Sequence, residues 1–243
     1  MDLLVSSGGN TIRIWDTTQV NSILKIAGEK GIAVIVGLPI PESRYMDYYN
    51  DTAKVTKQFL AIKGLVARLK NNPAVLMWCV GNELTFPYRP AYRNFYKAFN
   101  QIVDMIHQDD PDHPVTTTMT NFQRSDIFMI KMRTDVDVIS FNIFGQIHSL
   151  KKDLKQFSWF WNGPFLITEW GIDGPWDGTP QTSWAAKIEP TSTKKAEQYF
   201  NRYKDDMPIE NGGFLGSFTG VRNRKSRIPG SVCSTKMVIR QKQ

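Results

Sequence analysis

Residues 75–84 read VLMWCVGNEL and residues 165–171 read FLITEWG, and in each a short apolar run stops at a carboxylate, Glu83 in the first and Glu169 in the second. Four to eight apolar residues rich in β-branched and aromatic side chains are the pattern of a strand buried on both faces. A carboxylate at the end of such a strand costs free energy unless it is paired or used in chemistry. Taken alone, either glutamate reads better as a solvated loop residue just past its strand. Together, embedded in GNE and TEWG, they point to a pair with one purpose.

Working outward, runs of strand type occur at 11–15 (TIRIW), 32–38 (IAVIVGL), 75–80 (VLMWCV), 115–119 (VTTTM), 136–142 (VDVISFN), 165–168 (FLIT) and 213–219 (GFLGSFT). Helical spacing lies between several of them. Val20, Ile23, Leu24 and Ala27 precede Gly31; Val55, Phe59, Ile62, Val66 and Leu69 follow the cap candidate Asn50; Phe95, Phe99, Ile102 and Ile106 precede Pro111. Alternating strands and helices with short apolar strands predict an α/β fold with a parallel sheet, and this many units predict one (β/α)8 barrel over residues 1–219. Such a barrel takes about 250 residues, and nothing before DLLVSSGGNTIRIWD supplies a first strand and helix. The barrel is therefore expected to be truncated at its N terminus. Two parallel edges would then lack partners, and the isolated chain would be marginal or prone to aggregate.

Two glutamates at strand ends on one rim suit cleavage of a glycosidic bond with retention. That reaction needs one carboxyl kept protonated for the leaving oxygen and one ionised carboxylate to attack about 5 Å away. Apolar walls and hydrogen-bond donors can hold identical side chains in the two different states. On this reading Glu83 is the acid/base and Glu169 the nucleophile.

The same segments resemble the catalytic barrel of the glycoside hydrolase superfamily whose acid/base follows strand four and whose nucleophile follows strand seven. The resemblance is greatest to family 2, which includes β-galactosidases, β-glucuronidases and β-mannosidases, through NPAVLMWCVGNE and FLITEWG, and it runs from about Asp2 to Thr219. It implies a retaining hydrolase of O-glycosyl, β-linked bonds in oligo- or polysaccharides. It also implies no metal or organic cofactor, and further β-sandwich domains in a longer parent, whose compartment, secreted, periplasmic or other, is left open. Asn72 stands where the family usually has histidine, and Cys79 where it has a small residue. Ile143 and Phe144 stand where a tyrosine hydroxyl orients the nucleophile, so either another donor supplies that contact or the enzyme is slow or specialised.

Further candidates lie at the strand ends. Arg13 sits inside TIRIW, where an unpaired guanidinium is costly, so it is expected to reach the barrel mouth and pair with Glu169; the alternative is an outer-face arginine under a helix. Asn82, by the resemblance, donates to a sugar hydroxyl, or else it is a turn residue. Asn142 closes the run SFN and is the remaining polar candidate for substrate. Trp15, Trp170, Trp176 and Trp184 lie at or after carboxyl ends of strands and are candidate sugar platforms, Trp170 first among them. Trp78, Trp159 and Trp161 read as core. The aromatic stretch PESRYMDYYND and the loop 171–190 are placed to shape substrate choice.

Composition adds limits. Apolar residues make up 41% of 243, enough for a sizeable core, and no run of 18 marks a membrane span. Cys79 and Cys233 do not suggest a disulfide framework, and His107, His113 and His148 are too scattered for a metal site. The net charge of +7 resides in residues 220–243, which hold seven basic and no acidic residues, while the remainder balances 23 against 23. Such a tail reads either as an arm for nucleic acid or anionic lipid, or as a disordered, frameshifted end. Permitted codons for Thr219–Lys225, read from the third base, give WGQKQE, and the shifted frame beyond can be aromatic and acidic, as a barrel rim and helix would be. The frameshift is the preferred expectation, with a carbohydrate substrate and no nucleic-acid or membrane partner. A non-catalytic carbohydrate-binding barrel is the alternative from another class.

Overall fold

The structure, a computed structural model, describes residues 1–144, 149–171, 180–188, 190–206, 215–219 and 233–238. Among them lie eight strands: β1 (Thr11–Ile14), β2 (Ala33–Leu38), β3 (Val75–Val80), β4 (Val115–Thr120), β5 (Val138–Phe144), β6 (Phe165–Gly171), β7 (Leu215–Thr219) and β8 (Cys233–Val238). The helices are α1 (Asp2–Ser6), α2 (Val20–Glu29), α3 (Met46–Asn50), α4 (Thr52–Leu69), α5 (Arg93–Asp109), α6 (Arg124–Arg133), α7 (Leu150–Phe157) and α8 (Ser192–Asp206). No helix among the described residues is long and apolar enough to cross a membrane.

Strands β1 to β6 pair in chain order, each parallel to the next. β7 lies alongside β6, so the sheet curls into an almost closed barrel with helices on its outside. This is a truncated (β/α)8 barrel.

Three expectations change here. Part of the tail expected to be disordered, Cys233–Val238, forms β8, which runs antiparallel to both β1 and β7. The edge of β1 expected to be bare is thereby paired, because a parallel strand end with free N–H and C=O groups accepts any extended segment that reaches it. The start of α4 is capped not by Asn50 but by Asp51, whose carboxylate accepts from the N–H groups of Ala53 and Lys54, each at 3.1 Å. An ionised side chain at this position satisfies two orphan donors and favours the positive end of the helix dipole.

Packing follows from alternation along the strands. Ile35, Met77, Cys79, Val138 and Leu166 form a small cluster of their own, which fills the barrel interior. The polar interior neighbours satisfy one another: the Thr116 and Ser140 hydroxyls are 2.7 Å apart, and Cys79 Sγ is 3.3 Å from Thr118 Oγ1. The larger cluster lies between sheet and helices. It includes Phe86 packed edge-on against Phe95 and Phe99, which pins the chain leaving β3 to α5. Each such ring contributes roughly 1.5–3 kcal/mol of burial.

Trp78 belongs to this outer core: its indole N–H donates to Asp110 Oδ2 at 2.7 Å, and Asp110 also meets His113 Nδ1 at 2.8 Å. Trp159, expected in the core, is 79% exposed, because α7 ends before it and the chain turns outward to reach β6. Trp161 is only partly buried, packed against the larger cluster.

Candidate active site

Because β1 to β6 are parallel, their carboxyl ends share one rim, where barrel enzymes build their sites. Four of those ends deliver the polar residues named from the sequence.

The chain leaves β3 through Gly81 at φ +75°, Asn82, and Glu83 at φ +52°. Left-handed backbone is free for glycine but costs a side-chain-bearing residue about 1–2 kcal/mol, so the surroundings must hold Glu83 there. They do so from both sides: Gly81 N donates to Leu38 O at 2.9 Å and Leu84 N donates to Thr118 O at 3.1 Å, tying the turn to β2 and β4. A Cβ on Gly81 would come within 2.4 Å of the Leu84 side chain.

Glu169 reaches the rim by a different device. Along β5 and β6, Phe141 pairs with Ile167 but Asn142 pairs with Glu169, so Thr168 is an extra residue in the ladder. A bulge of this kind re-aims one side chain against the strict alternation. Glu169 thereby faces inward beside Asn142.

The contacts among these groups form one network. Arg13, fully buried, gives Nη1 to Glu169 Oε1 at 3.0 Å and Nη2 to Asn82 Oδ1 at 2.6 Å. Because a guanidinium only donates, the Asn82 oxygen must face Arg13, and its amide N–H2 is turned away from it. Trp15 donates its indole N–H to the same Glu169 oxygen at 2.9 Å. Asn142 Nδ2 donates to Glu83 Oε1 at 3.0 Å, and its Oδ1 accepts from Thr168 Oγ1 at 2.9 Å. Burial pushes the Glu169 carboxyl above the ordinary glutamate value of 4.5 and the Glu83 charge adds to this, while Arg13, the Trp15 N–H and the Asn142 amide pull the other way. Two carboxyl groups thus meet around one amide in a partly dry rim, where charge is expensive and donors are fixed in advance.

A profile of the glycosyl hydrolases family 2, TIM barrel domain, matches residues 18–201. The chain belongs to that family. Beta-glucuronidase of Paenibacillus borealis is 26% identical over 192 residues, covering 71% of this chain and 31% of that protein. Beta-glucuronidase of Rattus norvegicus is 27% identical over 186 residues, covering 71% and 27% respectively. Among solved structures, the Bifidobacterium dentium beta-glucuronidase complexed with coumarin-3-O-glucuronide shares the fold with a TM-score of 0.65 at 22% identity, over 85% of this chain and 34% of that one. The chain therefore spans about a third or less of these relatives. The matched span holds Glu83, Asn142 and Glu169 but begins after Arg13 and Trp15.

Of the other aromatic candidates of this family 2 barrel, Trp170 sits differently from expectation. Trp170 is not an open platform: it is 4% exposed and packs edge-on against Tyr199 of α8 at 5.2 Å. The bulge that turns Glu169 inward turns its neighbour outward. Trp184 is 76% exposed. Trp176 and His148 lie outside the described residues. In the stretch after β2, Ser43 Oγ lies 2.8 Å from Thr85 Oγ1, which ties that loop to the one carrying Glu83. Tyr45 and Tyr48, with Pro41 and Arg44, line a cavity of about 460 Å³ there.

Sequence reasoning missed Thr168 and took Trp15 for a platform. A hydroxyl inside an apolar strand, FLIT, was the available signal for the first. The second had none, because its partner lies 154 residues away.

Proposed function

We propose that this chain carries the catalytic barrel of a retaining β-glycosidase, with Glu83 as acid/base and Glu169 as nucleophile. The observation that supports it best is the gathering of both carboxyl groups around the Asn142 amide, which donates to Glu83 and favours the ionised form of Glu169. Retention asks for two carboxyl groups about 5–5.5 Å apart, and groups that share one amide are close neighbours.

In the first step Glu83 gives its proton to the glycosidic oxygen as Glu169 attacks the anomeric carbon. The bond to the leaving group breaks and a glycosyl ester forms on Glu169. In the second step Glu83, now ionised, takes a proton from water, which attacks the same carbon and frees Glu169. Arg13 and Trp15 supply fixed donors to the Glu169 carboxylate, and Asn82, its oxygen held by Arg13, offers an N–H to a sugar hydroxyl. No step calls for a metal or organic cofactor.

The substrate is a carbohydrate, and the names of the relatives make aryl β-D-glucuronides the first to try, beside β-galactosides and β-mannosides. Any β-sandwich domains of a longer parent would build further walls of the same site. The test is hydrolysis of this panel together with mass spectrometry after a 2-deoxy-2-fluoro glycoside. Turnover lost in Glu169→Gln and a sugar adduct on the peptide holding Glu169 are expected; tight binding with neither turnover nor adduct would instead make this a sugar-binding barrel.

A further inference from the structure

Glu169 receives two hydrogen bonds on one oxygen. Arg13 Nη1 and Trp15 Nε1 both end on Oε1, at 3.0 and 2.9 Å. A carboxylate held by one oxygen from two directions can rotate only by breaking one of the bonds, so its second oxygen, Oε2, has a set direction.

The surroundings are arranged around the indole. The Arg13 guanidinium lies 5.7 Å from the centre of the Trp15 ring, so the two donors also brace each other. On β2, next to the end of β1, stands Gly37. A Cβ there would come within 2.3 Å of Ile14 O and 2.9 Å of Trp15 Cα, so the backbone carrying Trp15 can occupy its place only because Gly37 has no side chain. Beside Glu169, the end of β5 carries Ile143 and Phe144, whose hydrocarbon side chains donate no hydrogen bond.

We propose that Trp15 is a positioning residue: its indole N–H fixes the carboxylate oxygen that Arg13 also holds, and so leaves Oε2 of Glu169 to meet the anomeric carbon. This rests on the retaining reading above. It departs from a sugar platform, which would bind substrate through its ring face and act on KM.

Trp15→Phe keeps the ring and removes the N–H. The expected result is a fall in kcat of about 10–100-fold with KM within about twofold, as for groups that orient a reacting residue. The acid limb of kcat/KM moves to higher pH, because the ionised carboxylate has lost a donor. Trp15→His, which restores a ring N–H, recovers part of kcat. Gly37→Ala, which displaces the Trp15 backbone, gives the same kind of defect as Trp15→Phe in milder form.

A second readout needs no turnover. In an ¹⁵N-indole spectrum, the Trp15 N–H resonance titrates with the Glu169 carboxyl, and that transition disappears in Glu169→Gln. If the wild-type chain hydrolyses nothing, the retaining reading fails and this titration alone decides the contact. A raised KM with unchanged kcat and acid limb in Trp15→Phe, or a Trp15 resonance indifferent to Glu169, overturns the proposal.

Discussion

Asn142 donates Nδ2 to Glu83 Oε1 at 3.0 Å while Thr168 Oγ1 holds the other end of the same amide at 2.9 Å. The two partners fix the amide between them: an ionised Glu83 oxygen accepts only from the N–H2 group, and the Thr168 hydroxyl, donating to Oδ1, holds the oxygen end. Asn142→Asp puts a third carboxylate among two and removes the donor. The expected loss in kcat/KM is about 10²–10³-fold, as for removal of one preorganised donor. Thr168→Val frees the amide to flip and is expected to cost about tenfold. Steady-state hydrolysis of an aryl β-glycoside ranks the two; a Thr168→Val enzyme equal to wild type would show that the amide needs no such hold.

Arg13 serves two partners at once, Glu169 through Nη1 and Asn82 through Nη2. Lysine keeps the charge but concentrates it at one point and cannot span both. Arg13→Lys is therefore expected to retain the fold and lose about 10²-fold in kcat/KM. Arg13→Met leaves the Glu169 carboxylate without its strongest counterweight to burial, so the acid limb rises further and stability falls by roughly 3–5 kcal/mol at neutral pH. Urea unfolding and pH–rate profiles of both variants check this.

Glu169 also gives the fold a pH dependence of known sign. Its carboxyl is raised above 4.5, so between that value and its raised folded value the native state binds more protons than the unfolded chain, and stability falls as pH rises through that window. Glu169→Gln has no such term, and the unpaired Arg13 it leaves behind adds a cost that does not vary with pH there. The melting temperature of Glu169→Gln relative to wild type should therefore climb as pH goes up from 4.5 through the window. A constant difference across that range would mean that the carboxyl is not raised.

Much of this arrangement was legible before the fold. Parallel strands buried on both faces are continuous apolar runs, so VLMWCV and FLIT announced themselves, and the recurrence of a carboxylate at the end of both is what pointed to a pair. What could not be read is set by geometry across the chain. The extra residue at Thr168 reverses which of Glu169 and Trp170 faces inward, and a sequence window has no register from which to see it. The donor role of Trp15 depends on a partner from the far end of the barrel. Strand β8, CSTKMV, has neither an apolar run nor alternation, and only its pairing with β1 and β7 makes it a strand.

Away from the rim, Asp110 is buried and accepts from the Trp78 indole while meeting His113. Asp110→Ala orphans a buried N–H and the imidazole, which is expected to cost about 2–3 kcal/mol. The cluster lies at the amino end of β4, the end of a barrel that serves stability, far from the carboxyl-end rim. Thermal melts should show the loss, and kcat/KM per folded molecule should stay within about twofold of wild type. A large drop in kcat/KM would tie this end of the barrel to the site.

The tail offers a test at the level of the gene. All seven surplus positive charges lie in residues 220–243, yet Cys233–Val238 covers the edge of β1, with Thr11 opposite Thr235 and Arg13 opposite Cys233. A shifted reading frame from Thr219 would replace that strand with aromatic and acidic sequence; a true frame would make β8 the cover that keeps β1 from pairing with other chains. Sequencing the bases for Phe214–Gln243 and beyond separates the two. An open alternate frame beginning WGQKQE is the expected result, and the repaired chain should then outperform this one in hydrolysis. An early stop in that frame would leave β8 as part of the native barrel, and deleting residues 220–243 should then drive the chain into aggregates on size-exclusion chromatography.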